Sequence, residues 1–373
     1  MSVININPLK LALERLCLVV PKRATLPVLE NLRWRTSNGH LELTATDLDN
    51  RLQISVPFVG EPIDSDVDVL VPAKELCQLV KTESAPNLKI RIRNGKCEVS
   101  ASKRTVVLSC AESSSFPESP DGEAKPQGQI LGSAFDAALR RALFCVSTDS
   151  GRYSTDVLKL ELHDSVFKVV GTDGHRLSVA EGAARTNGHP ASSALLLRSS
   201  AVILNRLGLA DEPRWVEFFT CGDEPEFNRF VLPDGSQLIT RHGQGQFPNY
   251  EAVLPKAPLE ARVVFQREEL LEGLAKLSPT ARKAQVPAVK LELSHSPVSI
   301  KTENDGTANS VNLEHTRVSG KARDIGFNLH YLTQYVKSLE TDTVSMKLFS
   351  KATCEVALFD AFHYQHLLMP LRF

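Results

Sequence analysis

PLKLALERLCLVV, residues 8 to 20, carries Leu9, Ala12, Leu13, Leu16 and Val20 at the spacing that turns one face of an α-helix toward a core. The same face returns twice. SAFDAALRRALFCV from Ser133 brings Phe135, Ala138, Leu139, Ala142 and Leu143 together, and QREELLEGLAKLS from Gln266 does so with Leu270, Leu271, Leu274 and Leu277. The starts lie 125 and 133 residues apart, and a long fixed period marks a chain built from copies of one unit.

Three further features keep step with this helix. A second helix is predicted in PAKELCQLVK from Pro72, RSSAVILNRLG from Arg198 and NLHYLTQYVKSL from Asn328, with Pro, Ser and Asn as helix starts. An alternating strand runs into a polar turn in LELTATDLD near Asp49, FKVVGTDGHRL around Asp173 and VSIKTENDG around Asp305. Each copy closes on a hydrophobic-proline pair: Phe116-Pro117, Phe247-Pro248 and Met369-Pro370. Between the helices, Asn38-Gly39, Asn94-Gly95 and Asp234-Gly235 sit between alternating segments and predict β-hairpins. The fold expected is α+β: three repeated domains of two helices on antiparallel strands, spanning 1–125, 126–256 and 257–373, with boundaries in the polar stretches 113–129 and 249–261.

Lys+Arg 43 against Asp+Glu 44 leaves a net charge of −1, so the chain does not hold nucleic acid by global attraction, and any basic surface is local. No apolar run reaches the ~18 residues of a membrane span, and the N-terminus has no small-residue cleavage site, which points to the cytoplasm and no membrane partner. Seven cysteines, at 17, 77, 97, 110, 145, 221 and 354, are never spaced CxxC and read as reduced small hydrophobes rather than a disulfide framework or zinc site.

GTDGHRL, residues 171 to 177, packs Asp173, His175 and Arg176 around Gly174 as an acid–base site would. An Asp-Gly pair at a strand end is ordinarily a turn, with glycine supplying positive φ. No nucleophile elbow, paired-carboxylate motif or metal cluster accompanies it. His363 and His366 form an HxxH without a third ligand, and in a strand they point to opposite faces. HGQGQF at 242–247 lacks the flanking strand and helix of a dinucleotide fingerprint, and GxxxxGK[ST] is absent. No metal, cofactor or catalytic residue is expected, and the chain is read as not an enzyme. Lys10, Arg15, Lys74, Lys81, Arg140, Arg141, Arg198 and Arg206 lie off the apolar stripes, with Lys22 and Arg23 in the loop after the first helix. They support a distributed, sequence-blind contact with phosphate, tempered by Glu268, Glu269 and Glu272 in the third copy.

Taken in order, RATLPVLENL (23–32), LTATDLD (43–49), GTDGHRL (171–177), QFPNYEAVLP (246–255), GFNLHYL (326–332) and the terminal MPLRF (369–373) resemble the bacterial β sliding clamp family, the processivity ring of DNA polymerase III, over the whole chain. The resemblance implies a head-to-tail homodimer closed into a ring around double-stranded DNA, with helices lining the hole. It implies a pocket for short linear peptides of polymerase subunits, the clamp loader and repair proteins, lined by Thr172, Gly174, His175, Arg176, Leu177, Pro248, Val253, Asn328, Tyr331, Met369, Pro370, Leu371 and Arg372. In that pocket Leu177, Pro248, Val253, Met369 and Leu371 supply apolar anchoring, while Arg176 and Asn328 fix an extended peptide. DNA contacts fall on Arg23, Arg152, Tyr153, Arg198 and Arg206, and the dimer interface on Lys74, Leu76, Leu108, Lys276 and Leu277. STDVLKL after Tyr153 departs from the family's aromatic or apolar residue and Asn-Gly turn, and Lys276 stands where an apolar residue is common.

Two readings compete with a clamp. An enzyme built on Asp173, His175 and Arg176 predicts that His175→Ala abolishes a turnover. A clamp-like scaffold that binds peptides without encircling DNA predicts a single-chain species not retained on circular DNA.

Overall fold

The computed structural model describes residues 2–37, 39–59, 67–101, 104–120, 123–147, 155–209, 214–222, 226–281, 286–350 and 356–371. Its six α-helices are α1 (Ile6–Leu16), α2 (Ala73–Thr82), α3 (Gly132–Leu143), α4 (Arg198–Arg206), α5 (Arg267–Ala281) and α6 (Leu329–Ser338). They fall on the six predicted segments. The order strand, helix, three strands, strand, helix, three strands occurs three times among the described residues, with a short extra strand in the first copy, Ala111–Glu112, and another in the last, Arg317–Gly320.

Local chemistry sets the helix ends. α1 begins two residues before Pro8 because the Asn5 side chain accepts from the Asn7 amide at 3.0 Å. It ends at Leu16, short of the predicted Val20, because Pro21 disfavours helical backbone at the residue before it, and the amides of Leu18, Val19 and Val20 close as turns onto the carbonyls of Arg15 and Leu16. Asn328 caps α6, accepting from His330 and Tyr331. α4 has no such cap: Leu197, not a serine, precedes it.

Packing by contact divides the described chain into two compact units, 1–133 with 162–165 and 184–242, and 134–161 with 166–183 and 243–373. The cut passes through the middle copy. In the first unit, strand Gln237–Arg241 pairs antiparallel with Asn50–Val59 of the first copy, Leu238 opposite Leu52. In the second, the start of Arg176–Arg185 pairs with Tyr364–Leu368 of the third copy, Leu177 opposite Leu367. The middle copy is thus hydrogen-bonded to both neighbours, and compactness draws a different line from the sequence period.

The first unit buries Leu9, Leu13 and Leu16 of α1 and Leu76 and Val80 of α2 with Trp34, Leu43 and Leu52 of its strands. The Asn94-Gly95 hairpin has φ of 51° and 68°, the signature of a type I′ turn. In the second unit, strands Leu259–Gln266, Thr343–Phe349, Ala357–Ala361 and Tyr364–Leu368 form one ladder. A four-stranded sheet runs Thr307–Leu313, Val298–Asn304, Ala288–Glu292 and Ile325–Asn328. Gly273 of α5 faces Ile300 of that sheet so closely that a Cβ would stand 2.7 Å from its methyl group. Among the described residues, no helix is long and apolar enough to cross a membrane.

Candidate functional site

Strand Val166–Thr172 reverses into Arg176–Arg185 through Asp173, Gly174 and His175. Thr172 Oγ1 donates to the Arg176 carbonyl at 2.7 Å and accepts from the Gly174 amide at 3.1 Å. Asp173 Oδ1 accepts from the amides of His175 and Arg176, both at 3.0 Å, and Gly174 takes φ +85°. The first copy contains the same knot without histidine or arginine. Thr46 Oγ1 donates to Asn50 O and accepts from Leu48 N, and Asp47 Oδ1 accepts from the amides of Asp49 and Asn50, with Leu48 at φ +81°. A turn made twice from a shared Thr-Asp pair is a device of the fold, and the carboxylate in it is spent on backbone amides. The third echo differs: Asp305-Gly306, at φ 47° and 73°, is a plain hairpin turn.

Arg176 is almost fully buried. Its Nε donates to Asp173 Oδ2 at 2.9 Å, Nη1 to Gln334 Oε1 at 2.6 Å and Nη2 to the Phe144 carbonyl. The guanidinium lies 4.1 Å from the Tyr331 ring centroid, within cation–π range. It therefore braces the turn from behind, with Nε, Nη1 and Nη2 each giving one N–H to the chain itself while the side chain still lines the cavity. Asn328 spends its side-chain carbonyl oxygen on capping α6.

The C-terminal strand closes the site. Its ladder with residues 176 to 180 continues as Met369 N donates to His175 O at 3.0 Å, and Leu371 N reaches Gly326 O at 2.8 Å. A cavity of about 340 Å³ remains, lined by Thr155, Thr172, Gly174, His175, Arg176, Leu177, Pro248, Asn249, Tyr250, Val253, Val356, Leu367 and Met369. Leu177 and Leu367 are 3% exposed, whereas Val253 and Met369 stand 46% and 47% exposed, giving buried apolar walls and an apolar surface open to solvent. The Tyr250 hydroxyl, which anchors the 3₁₀ turn Tyr250–Val253, donates to Glu161 at 2.6 Å. Burial, then the Glu161 carboxylate, pushes that phenol above its ordinary range.

Eight of the expected pocket residues line this cavity: Thr172, Gly174, His175, Arg176, Leu177, Pro248, Val253 and Met369. Asn328, Tyr331, Pro370 and Leu371 are not among its lining residues, and Arg372 lies outside the described residues. The sequence reading missed Thr155, Asn249, Tyr250, Val356 and Leu367. Leu367 was findable, since it lies two before Met369 on a strand; Val356 reaches the site only through tertiary packing. His363 sits at a turn with φ 56°, while His366 is fully buried and stacked on Tyr335 at 4.6 Å. Burial, then Arg176, pushes the His366 imidazole well below its usual range.

The remaining expectations divide by exposure. Arg23, Arg198 and Arg206 are exposed, and Arg152 and Tyr153 lie outside the described residues. Of the expected interface residues, Lys74 and Lys276 are exposed, but Leu76, Leu108 and Leu277 are buried in the chain's own cores. A partner cannot touch Leu76 and Leu277 at 0% exposure, so their assignment to an interface is corrected.

Family models described as the N-terminal and C-terminal domains of the DNA polymerase III beta subunit match residues 3–120 and 251–372. The chain belongs to the β sliding clamp family. The beta sliding clamp of Pseudomonas aeruginosa is 26% identical over 362 residues, covering 95% of each chain, and that of Escherichia coli K12 is 24% identical over 357, covering 94% of this chain and 93% of that one. A solved P. aeruginosa sliding clamp bound to griselimycin superposes with a TM-score of 0.87 at 26% identity, over 100% of this chain and 99% of that chain. A DNA polymerase III beta subunit from Thermotoga maritima gives 0.87 at 20% identity, again over 100% and 99%, a likeness of fold. A sliding clamp fold accounts for the threefold element order and for strands that join one copy to the next.

Proposed function

We propose that this member of the family is a non-enzymatic, cytoplasmic DNA clamp, a homodimeric ring of three-domain chains with domains at 1–125, 126–256 and 257–373. It encircles double-stranded DNA and tethers polymerase subunits, the clamp loader and repair proteins through short peptides seated in the cavity behind the Thr172–Arg176 turn. The observation that carries this reading is the cavity itself: buried leucines inside, exposed Val253 and Met369 at the surface, and a turn whose polar atoms are consumed by the fold. An apolar slot of this kind binds by shape and burial, with backbone groups left to orient an extended peptide. The exposed Arg23, Arg198 and Arg206 position phosphates loosely, and a near-neutral chain held by topology slides where a tightly basic one would stick.

The test is loading onto nicked circular DNA by a clamp loader. Retention that ends when the circle is linearised supports the clamp, with Met369→Ala and Val253→Ala weakening peptide capture but not retention. No retention on closed circles, with peptide binding intact in a single-chain species, overturns it in favour of a scaffold.

A further inference from the structure

Away from the pocket, the first unit brings two thiols together. Cys17 follows the last residue of α1 and is exposed; Cys77 lies in the second turn of α2 and is half-buried. They are 60 residues apart in sequence, and their Sγ atoms stand 2.7 Å apart, about 0.7 Å beyond the ~2.05 Å of a disulfide bond. Both line a cavity of about 650 Å³ whose wall also carries Lys10, Lys22, Lys81 and Arg206 against the carboxylates of Glu14 and Asp47. The four cations favour an anionic visitor over a neutral one. The Cys77 thiol, hydrogen-bonded to the Cys17 sulfur, holds Cys17 below its ordinary range against burial and Glu14, while Cys77 itself is pushed up, first by that same bond and then by burial. Cys17 is the exposed member of the pair and Cys77 the half-buried one, which is the arrangement of an attacking thiol beside a resolving one.

We propose that Cys17 and Cys77 form a thiol–disulfide exchange site, oxidised by an anionic low-molecular-weight disulfide and closing into a bond that staples α1 to α2. The Cys17 thiolate attacks one sulfur of the small disulfide, forming a mixed disulfide and releasing a thiolate that takes up a proton. Cys77 loses its proton to solvent and attacks the Cys17 sulfur, breaking the mixed bond and expelling the second small thiolate. The protein gives up two electrons and two protons, and the small disulfide becomes two thiols. In a reducing compartment the reverse exchange reopens the bond, so the staple forms under oxidative load.

The experiment treats the full chain with oxidised glutathione, blocks residual thiols and maps non-reduced tryptic peptides. The expected product joins LCLVVPK (16–22) to ELCQLVK (75–81), disappears on reduction and raises the melting temperature by several degrees, as closing a long loop does. Cys77→Ser is expected to stop at a glutathione adduct on Cys17, and Cys17→Ser to react at least tenfold more slowly at Cys77 with no change in melting temperature. Should Cys77→Ser fail to fold, the wild-type cross-link and its reversal decide the matter alone. An adduct that persists on Cys17 in the wild type, a cross-link only between chains, or reaction only after denaturation would each overturn the proposal.

Discussion

Replacing Arg176 with methionine separates a strut from a ligand. The change keeps side-chain length and apolar packing over Tyr331 while removing the bonds to Asp173, Gln334 and the Phe144 carbonyl. Breaking a buried, hydrogen-bonded ion pair from one side costs roughly 3–5 kcal/mol. Asp173 keeps its two backbone amide partners, which places the loss near the lower end, about 3 kcal/mol, or roughly 100-fold in a local opening equilibrium. Both tryptophans, Trp34 and Trp215, belong to the other unit, so tryptophan fluorescence does not report this event. Amide hydrogen exchange of strand Arg176–Arg185 and of Tyr364–Leu368, which pair with one another, does. The strut reading expects ~100-fold faster exchange there, with affinity for the proposed partner peptides falling as a consequence. Exchange within threefold of wild type together with a tenfold or greater loss of affinity would refute it and make Arg176 a direct contact.

Other consequences follow from the same geometry. Leu277→Ala is expected to cost about 2–5 kcal/mol of folding stability, independent of protein concentration; a change confined to the monomer–dimer balance would return Leu277 to an interface. Gly174→Ala, at φ +85° with open space around its Cβ, should lose about 1 kcal/mol to left-handed strain, while Leu48→Gly in the equivalent turn moves the other way; equal melting temperatures for Gly174→Ala and wild type would contradict this. Burial pushes the Glu161 carboxylate up, but Lys159 at 2.5 Å, the Tyr250 hydroxyl at 2.6 Å and then Lys168 more than offset it, so its folded pKa lies below its ordinary value. Its contribution is therefore present above the unfolded value of ~4.3 and lost as pH falls through the folded one. Thermal melts at pH 7 and pH 4 should show Glu161→Gln less stable at pH 7 and losing less than wild type on acidification; parallel losses would count against the linkage.

Much of the architecture was legible because periodicity and turn chemistry are local. Leu9, Leu13 and Leu16 announce a buried helical stripe whatever they pack against, and Asn94-Gly95 specifies a hairpin through its own backbone preferences. The Thr-Asp turn was read as a turn on the same grounds, and its duplicate at Thr46-Asp47 gives that reading a structural counterpart. The site was legible where its residues are contiguous, as in Thr172 to Leu177, or share a strand face, as Leu367 does with Met369. Exposure was not. Lys74 and Leu76, or Lys276 and Leu277, are neighbours in sequence with opposite fates, since helical spacing alone does not say what covers each face.

By itself, then, the order of residues determined the threefold repeat, the helix and hairpin positions and the turn that walls the pocket, because each depends on interactions within a dozen residues. Only the tertiary structure decided that Arg176 turns inward, that Val356 and Tyr250 join the cavity and that Cys17 meets Cys77 across 60 residues. Those outcomes depend on which segments pack together, and a pairing between distant strands or helices is chosen by the whole core rather than by any stretch within it.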